Sequence, residues 1–175
     1  MCRLSKWAAA LPAFLFLLVG SSGLRAATEA APDADAAIRA IWAELDARWN
    51  GRDAIGFSEL FTDDVSFEFV DRGESLEGQT VVREYFSQRF PRFAPGLRHR
   101  TTVRDIAIIA SNVAAVDGTV EILRETPDMD SALLRTFAIF AVMTRDTEVW
   151  TIRMLRVYEL QETVAAAAGS QATRS

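Results

Sequence analysis

Apolar positions in the first third of the chain repeat at helical spacing. Ile38, Ile41, Trp42, Leu45 and Trp49 fall at i, i+3, i+4, i+7 and i+11, which is one face of a helix. Asp33 or Asp35 is placed to cap its start, and Asn50-Gly51 to end it in a left-handed turn. Asp53 then predicts the cap of a short second helix carrying Phe57, Leu60 and Phe61. Thr62-Asp63-Asp64 reads as a turn, after which Val65, Phe67 and Phe69 alternate with Ser66, Glu68 and Val70 as a strand. Arg72-Gly73 turns the chain again. Glu77-Gly78 opens a third helix whose apolar stripe is Val82, Tyr85, Phe86 and Phe90, and Pro91 ends it.

From Arg98 the period changes to two. Four strands are predicted, over 98–110, 113–124, 132–145 and 148–160. Their links are Ser111-Asn112, the segment Glu125 to Ser131 around Pro127, and Asp146-Thr147. Short links between long β-rich runs mean antiparallel hairpins. Strands of this length require a strongly twisted or curved sheet, whose concave face the three helices would cover.

The ends of the chain do not fit that pattern. Arg3 and Lys6 precede an uncharged apolar run, Trp7 to Val19, and Gly20-Ser21-Ser22-Gly23 then leads to a small residue at Ala26. This order predicts a cleavable secretory signal over residues 1–26. The run is shorter than the roughly 20 residues a membrane span needs, and Cys2 is not in a lipoprotein position. Residues 27–33 read as a flexible lead, 34–160 as one domain, and 161–175 as a small-residue, disordered tail. The expected location is therefore periplasmic or extracellular, with no stable membrane insertion after cleavage.

Composition narrows the chemistry. Removing Arg3, Lys6 and Arg25 with the signal takes no acid, so the net charge passes from −5 to −8. An acidic chain of scattered arginines is a poor binder of nucleic acid. Without Cys2 and Lys6 the processed chain has neither cysteine nor lysine, which excludes disulfides and thiolate metal sites. His99 is the single histidine, so any histidine-based catalysis must run through it. No metal site and no cofactor is expected.

The order of elements resembles the nuclear transport factor 2-like superfamily, in its SnoaL-like and ketosteroid-isomerase-like branch. The resemblance rests on Trp49-Asn50-Gly51-Arg52-Asp53 at the helix–helix junction and on Leu60-Phe61-Thr62-Asp63-Asp64-Val65 leading into the first strand. Two further stretches are the third helix from Leu76-Glu77-Gly78 to Tyr85-Phe86, and Trp150-Thr151-Ile152 in the last strand. It covers residues 34–160 and implies an α+β fold: a cone-shaped, mostly antiparallel sheet of about six strands wrapped on three N-terminal helices, paired as a homodimer through its outer face. It does not imply one activity, since such scaffolds host isomerases, cyclases, hydrolases and binding domains.

The polar set of a ketosteroid isomerase is an aspartate base, a tyrosine and a protonated aspartate. Counted from the matched motifs, the base position falls on Phe69, the tyrosine position near Leu45 and the last donor in the apolar run Ala138 to Met143. A phenylalanine takes no proton, so steroid isomerisation is not expected. Asp71 shares the Phe67/Phe69 face near the pocket mouth. If alternation holds through the last strand, Trp150, Ile152, Met154, Arg156 and Tyr158 share one face, with Arg156 and Tyr158 at the wide end of the pocket. His99, between Arg98 and Arg100, reads as a solvated strand-end residue. The candidate ligand-binding set is therefore Trp49, Phe69, Asp71, Tyr85, Arg156 and Tyr158. The missing polar triad favours a domain that binds a small apolar molecule over a SnoaL-like enzyme. An acid and a base within hydrogen-bond reach inside the cavity would favour the enzyme instead.

Overall fold

A computed structural model describes residues 23–125, 131–146 and 148–160, with side chains from Ala34 onward. Most of the expected signal, the loop around Pro127 and the tail lie outside the described residues. In chain order the elements are α1 (Gly23–Asn50), α2 (Ala54–Ser58), β1 (Phe61–Phe69), β2 (Glu74–Glu77), α3 (Gln79–Arg89), β3 (Leu97–Ala110), β4 (Val113–Glu125), β5 (Ser131–Thr144) and β6 (Thr151–Glu159). Single 3₁₀ turns at Val70–Arg72 and Phe90–Arg92 follow β1 and α3.

The six strands form one sheet in the order β2-β1-β6-β5-β4-β3. Every pairing is antiparallel except β1 with β6. The fold is the expected α+β arrangement, a curved sheet with helices against it. β2 has no strand pattern of its own in the sequence; only Glu74 to Glu77 pair, against Ser66 to Phe69. Register shifts bend β3, β4, β5 and β6, and each such bulge adds local twist.

The stripe on α1 is buried as its spacing requires: Ile38, Trp42, Leu45 and Trp49 are all in the core. The helix starts at Gly23, before Asp33 and Asp35, so neither caps it and the expected lead at 27–33 is helical. The Ala-rich stretch before Pro32 has high helix propensity, and the helix passes through Pro32 with the loss of one backbone donor. Asp53 does cap α2, its Oδ1 accepting the Gly56 N–H at 2.9 Å. Phe57, Phe61, Phe67, Phe86 and Phe90 then pack as a chain of rings with centroids 4.4–6.1 Å apart.

The α1–α2 junction differs from the expectation at one residue. The left-handed position is Arg52, at φ 59°, not Asn50 or Gly51. Gly51 answers a different need, because a Cβ there would lie 3.2 Å from the Ala47 carbonyl oxygen. A side chain in the left-handed region costs on the order of 1 kcal/mol. Arg52 offsets this by placing its guanidinium 4.4 Å from the Trp49 ring centre and donating to the Leu97 carbonyl at 3.0 Å. The junction is thereby tied to the start of β3.

In β6 the alternation breaks. Ile152 pairs with Met143, but Met154 pairs with Val142, so β6 carries one extra residue at Arg153. A single extra residue moves every later side chain to the other face. Ile152, Leu155 and Val157 therefore pack on the core side, while Arg153, Met154, Arg156 and Tyr158 do not continue the Ile152 face.

Candidate functional site

Between α1, α3 and the concave side of the sheet lies a cavity of about 340 Å³. Its walls are mainly apolar and aromatic, with Trp42 and Trp49 from α1, Phe67 and Phe69 from β1, and Phe137 and Ile139 from β5. The polar side chains that reach it are His99, Tyr85 and three arginines.

His99 enters the cavity because it is in phase with Leu97, Thr101 and Val103, which take the partly buried side of β3 while Arg98, Arg100, Thr102 and Arg104 are exposed. Its side chain is 10% exposed. Opposite stands Asp46, four residues after Trp42 and three before Trp49, on the edge of the buried stripe of α1. His99 Nδ1 and Asp46 Oδ1 are 2.6 Å apart. Thr101 holds the carboxylate from the other side, its N–H donating to Oδ2 at 2.8 Å and its hydroxyl to Oδ1 at 2.7 Å. Asn50 brackets the backbone of His99: its Nδ2 donates to the His99 carbonyl at 2.9 Å, and its Oδ1 accepts the His99 N–H at 2.8 Å. The imidazole also packs on Trp49, with ring centres 5.1 Å apart.

A carboxylate facing Nδ1 selects the tautomer with the proton on that nitrogen and leaves a lone pair on Nε2. Among the described residues no side chain hydrogen-bonds Nε2. This is the arrangement of a positioned general base, in which the carboxylate orients the ring and stabilises the imidazolium that forms when Nε2 takes a proton.

Across the cavity Phe69 and Tyr85 stack with ring centres 5.7 Å apart. The Tyr85 hydroxyl points away to Glu74, donating to Oε2 at 2.8 Å, while Arg89 Nη2 donates to Oε1 of the same carboxylate at 2.9 Å. Burial first, and then the bond to Glu74, push the Tyr85 phenol up to about 12, against the opposing pull of Arg89 and Arg72. Tyr85 is thus a neutral phenol with its proton committed outside the cavity.

Of the residues singled out from sequence, Trp49, Phe69 and Tyr85 stand in the cavity wall, and Asp71, Arg156 and Tyr158 do not. Asp71 sits in the 3₁₀ turn after β1, where its Oδ2 accepts the Glu159 N–H at 2.5 Å and joins the two strand ends. Arg156 is carried by the bulge at Arg153 to the side of Ser66 and Glu68, donating to the Ser66 carbonyl at 2.9 Å and lying 3.0 Å from Glu68 Oε2. Tyr158 is exposed. A solvated His99, as its arginine neighbours suggest, is not what the structure holds, and Asp46 lies outside the set expected from sequence. The signals for both were present: a histidine in phase with Leu97 and Val103, and a charged residue on the buried edge of a helix.

Comparison with protein families matches residues 31–156 to the SnoaL-like domain. No curated protein matches the chain. Solved structures resemble it at low identity and so share its fold. An NTF2-like protein with a cystatin-like fold from Novosphingobium aromaticivorans is 18% identical over 85% of this chain and 96% of that one, with a TM-score of 0.67. A putative scytalone dehydratase from the same organism is 14% identical over 77% and 89%, with a TM-score of 0.66. A domain of unknown function from Nostoc punctiforme is 21% identical over 74% and 78%, with a TM-score of 0.64.

Proposed function

The chain belongs to the SnoaL-like domain family, which includes enzymes and ligand-binding members, and we propose that this member is an acid–base enzyme acting on a small, mainly apolar substrate. The observation that carries this reading is that His99, in the wall of a mostly apolar cavity, is 2.6 Å from the carboxylate of Asp46. His99 Nε2 would accept a proton from a carbon beside a carbonyl, or from a hydroxyl, with Asp46 stabilising the imidazolium. Returning that proton to a second carbon is an isomerisation; delivering it to a departing hydroxyl is an elimination of water. The neighbour named as a putative scytalone dehydratase would use the second outcome. The isomerase base position is occupied by Phe69, so a steroid isomerase is not the form proposed.

Binding without chemistry is the second reading, and the commitment of the Tyr85 hydroxyl to Glu74 favours it, because no neutral donor is left on that wall to stabilise an oxyanion. Deuterium uptake from D₂O into apolar cyclic ketones, 1-tetralone first, separates the two. Wild-type protein should exchange the α-protons, and His99→Gln should lose on the order of 10²–10⁴-fold of that rate. Exchange that is equal in both proteins, or absent throughout the panel, would leave only the binding reading.

Export and self-association are part of the same proposal. The charged, apolar and small-residue order of residues 1–26 supports cleavage near Ala27. That cut would shorten the start of α1 and leave its buried stripe intact. Arg100, Thr102 and Arg104 are exposed on the outward side of β3, a surface open on the single chain to a second copy. N-terminal sequencing of exported material and a sedimentation mass at tens of micromolar test these two points; an intact Met1, or a monomer mass, counts against them.

A further inference from the structure

Three guanidinium groups reach the wall of the same cavity from three separate elements. Arg72 comes from the 3₁₀ turn after β1, Arg89 from the last turn of α3 and Arg135 from β5. Among the described residues no aspartate or glutamate belongs to that wall. The chain as a whole has 24 acids against 19 Lys and Arg, so a lining with arginines and no carboxylate runs against its composition.

The arginines share one end of the cavity. Ile122 on β4 pairs with His99 on one side and with Arg135 on the other. Arg135 and His99 therefore lie in one transverse row two strands apart, about 10 Å between backbones. Arg72 flanks Phe137 and Glu159, and Glu159 is the partner of Arg135 at 2.7 Å. The Arg72 guanidinium lies 5.3 Å from the Phe69 ring centre, and that of Arg89 lies 4.0 Å from the Tyr85 ring centre. Aromatic faces hold both planar forks without using their N–H donors.

The carboxylates nearby do not cancel this arrangement. Glu74 takes one donor of Arg89, and Glu159 one of Arg135. Asp71 accepts a backbone N–H. None of the three lines the cavity itself, while Asp71 and Glu159 line a small recess next to it with Arg72. Among the described residues no carboxylate is within ion-pair distance of Arg72. Each arginine has five donors in all, so most of those at this end remain for a ligand. Planar guanidinium pairs two of its N–H groups with carboxylate, sulfonate or phosphate oxygens.

We propose that Arg72, Arg89 and Arg135 hold the oxyanion end of an amphiphilic substrate whose apolar body fills the cavity and whose reactive atom lies against His99. This rests on the acid–base reading of the site and adds the substrate class: an apolar body about 10 Å long ending in one anionic group.

Two fluorescent probes with the same aromatic body test it. 1-Anilinonaphthalene-8-sulfonate carries one sulfonate that N-phenyl-1-naphthylamine lacks. In the double variant Arg72→Gln, Arg135→Gln the affinity for the sulfonate probe should fall about tenfold relative to the neutral probe, whose own affinity should change less than about twofold. An unchanged ratio overturns the proposal. If the variant loses the neutral probe too, the wild type decides. Its sulfonate affinity must weaken between about 20 mM and about 500 mM salt while the neutral probe's does not, and two parallel responses overturn the proposal. A ratio that drops in the arginine variant, beside ketone exchange that ignores His99, would sink the acid–base reading and leave the anion site standing.

Discussion

The two walls of the cavity carry the same ingredients, a ring hydrogen-bonded to a carboxylate, and use them oppositely. On the α1–β3 side His99 meets Asp46 at 2.6 Å; on the β1–α3 side Tyr85 meets Glu74 at 2.8 Å. An imidazole has two nitrogens, so one can be held while the other stays available. A phenol has a single oxygen, and its O–H donates to Glu74. The carboxylates also differ in placement. Asp46 is on the buried edge of a helix and is held by Thr101, whereas Glu74 opens an edge strand and is shared with Arg89. An uncommitted ring nitrogen is thus found on one wall, while the other supplies aromatic surface and has its phenol hydroxyl bonded to Glu74.

The largest expected effect follows from that asymmetry. His99→Gln should abolish ketone exchange by on the order of 10²–10⁴-fold, while Tyr85→Phe should change it by less than about threefold. A loss of similar size in both would erase the distinction between the walls. Asp46→Asn should fall between them, because the ring stays in place while its tautomer and the charge that stabilises the imidazolium are lost.

Stability should follow the walls as well. Trp42 is buried between the cavity and the core, and Trp42→Ala should cost roughly 3–5 kcal/mol in urea unfolding. A cost below about 1 kcal/mol would move the stripe of α1 out of the core. Asn50→Ala removes both bonds to the His99 backbone and should cost about 1–2 kcal/mol, with exchange activity falling alongside. Unaltered activity would show that His99 keeps its place without Asn50.

How much of this was legible in the sequence depends on the kind of regularity each part uses. β3 alternates from Leu97 to Arg104 and β4 from Val113 to Glu121, and the observed limits of both strands lie within a residue of those read from the pattern. The stripe of α1 was equally plain. The bulge at Arg153 was not, because nothing in Trp150-Thr151-Ile152-Arg153-Met154 marks an extra residue, and one such residue reverses the faces of everything after it. Arg156 and Tyr158 therefore lie on the other side from the one that strict alternation assigns, and register shifts interrupt alternation in the neighbouring strands too. His99 is the opposite case: the alternation on β3 places it inward, but Arg98 and Arg100 drew the reading towards solvent. Asp46 becomes meaningful only when β3 is brought against α1, a contact between residues 53 positions apart. Arg156→Ala tests the bulge directly. It should cost roughly 1–2 kcal/mol through the lost bonds to Ser66 and Glu68, with no change in binding of either probe. Weakened sulfonate binding would return Arg156 to the cavity.

The smallest expected effect concerns the Tyr85–Glu74 pair, and its sign follows from the direction of the shift. The phenol titrates at 10.0 when unperturbed and at about 12 in the folded chain. Between those values the unfolded chain releases a proton that the folded chain keeps, so rising pH favours unfolding across that interval. The stability associated with the neutral phenol is fully present below pH 10.0 and is lost as pH rises towards about 12. Tyr85→Phe has no such proton. Below pH 10 it should differ from wild type by about 1 kcal/mol, for the bond to Glu74, with no slope between the two. Above pH 10 the wild-type urea midpoint should fall more steeply than that of Tyr85→Phe, and the two curves should converge. Parallel curves through pH 12 would mean that Tyr85 loses its proton as readily in the folded chain as in the unfolded one. The phenol would then be open to the cavity, and the two walls would no longer differ in the way the geometry sets out.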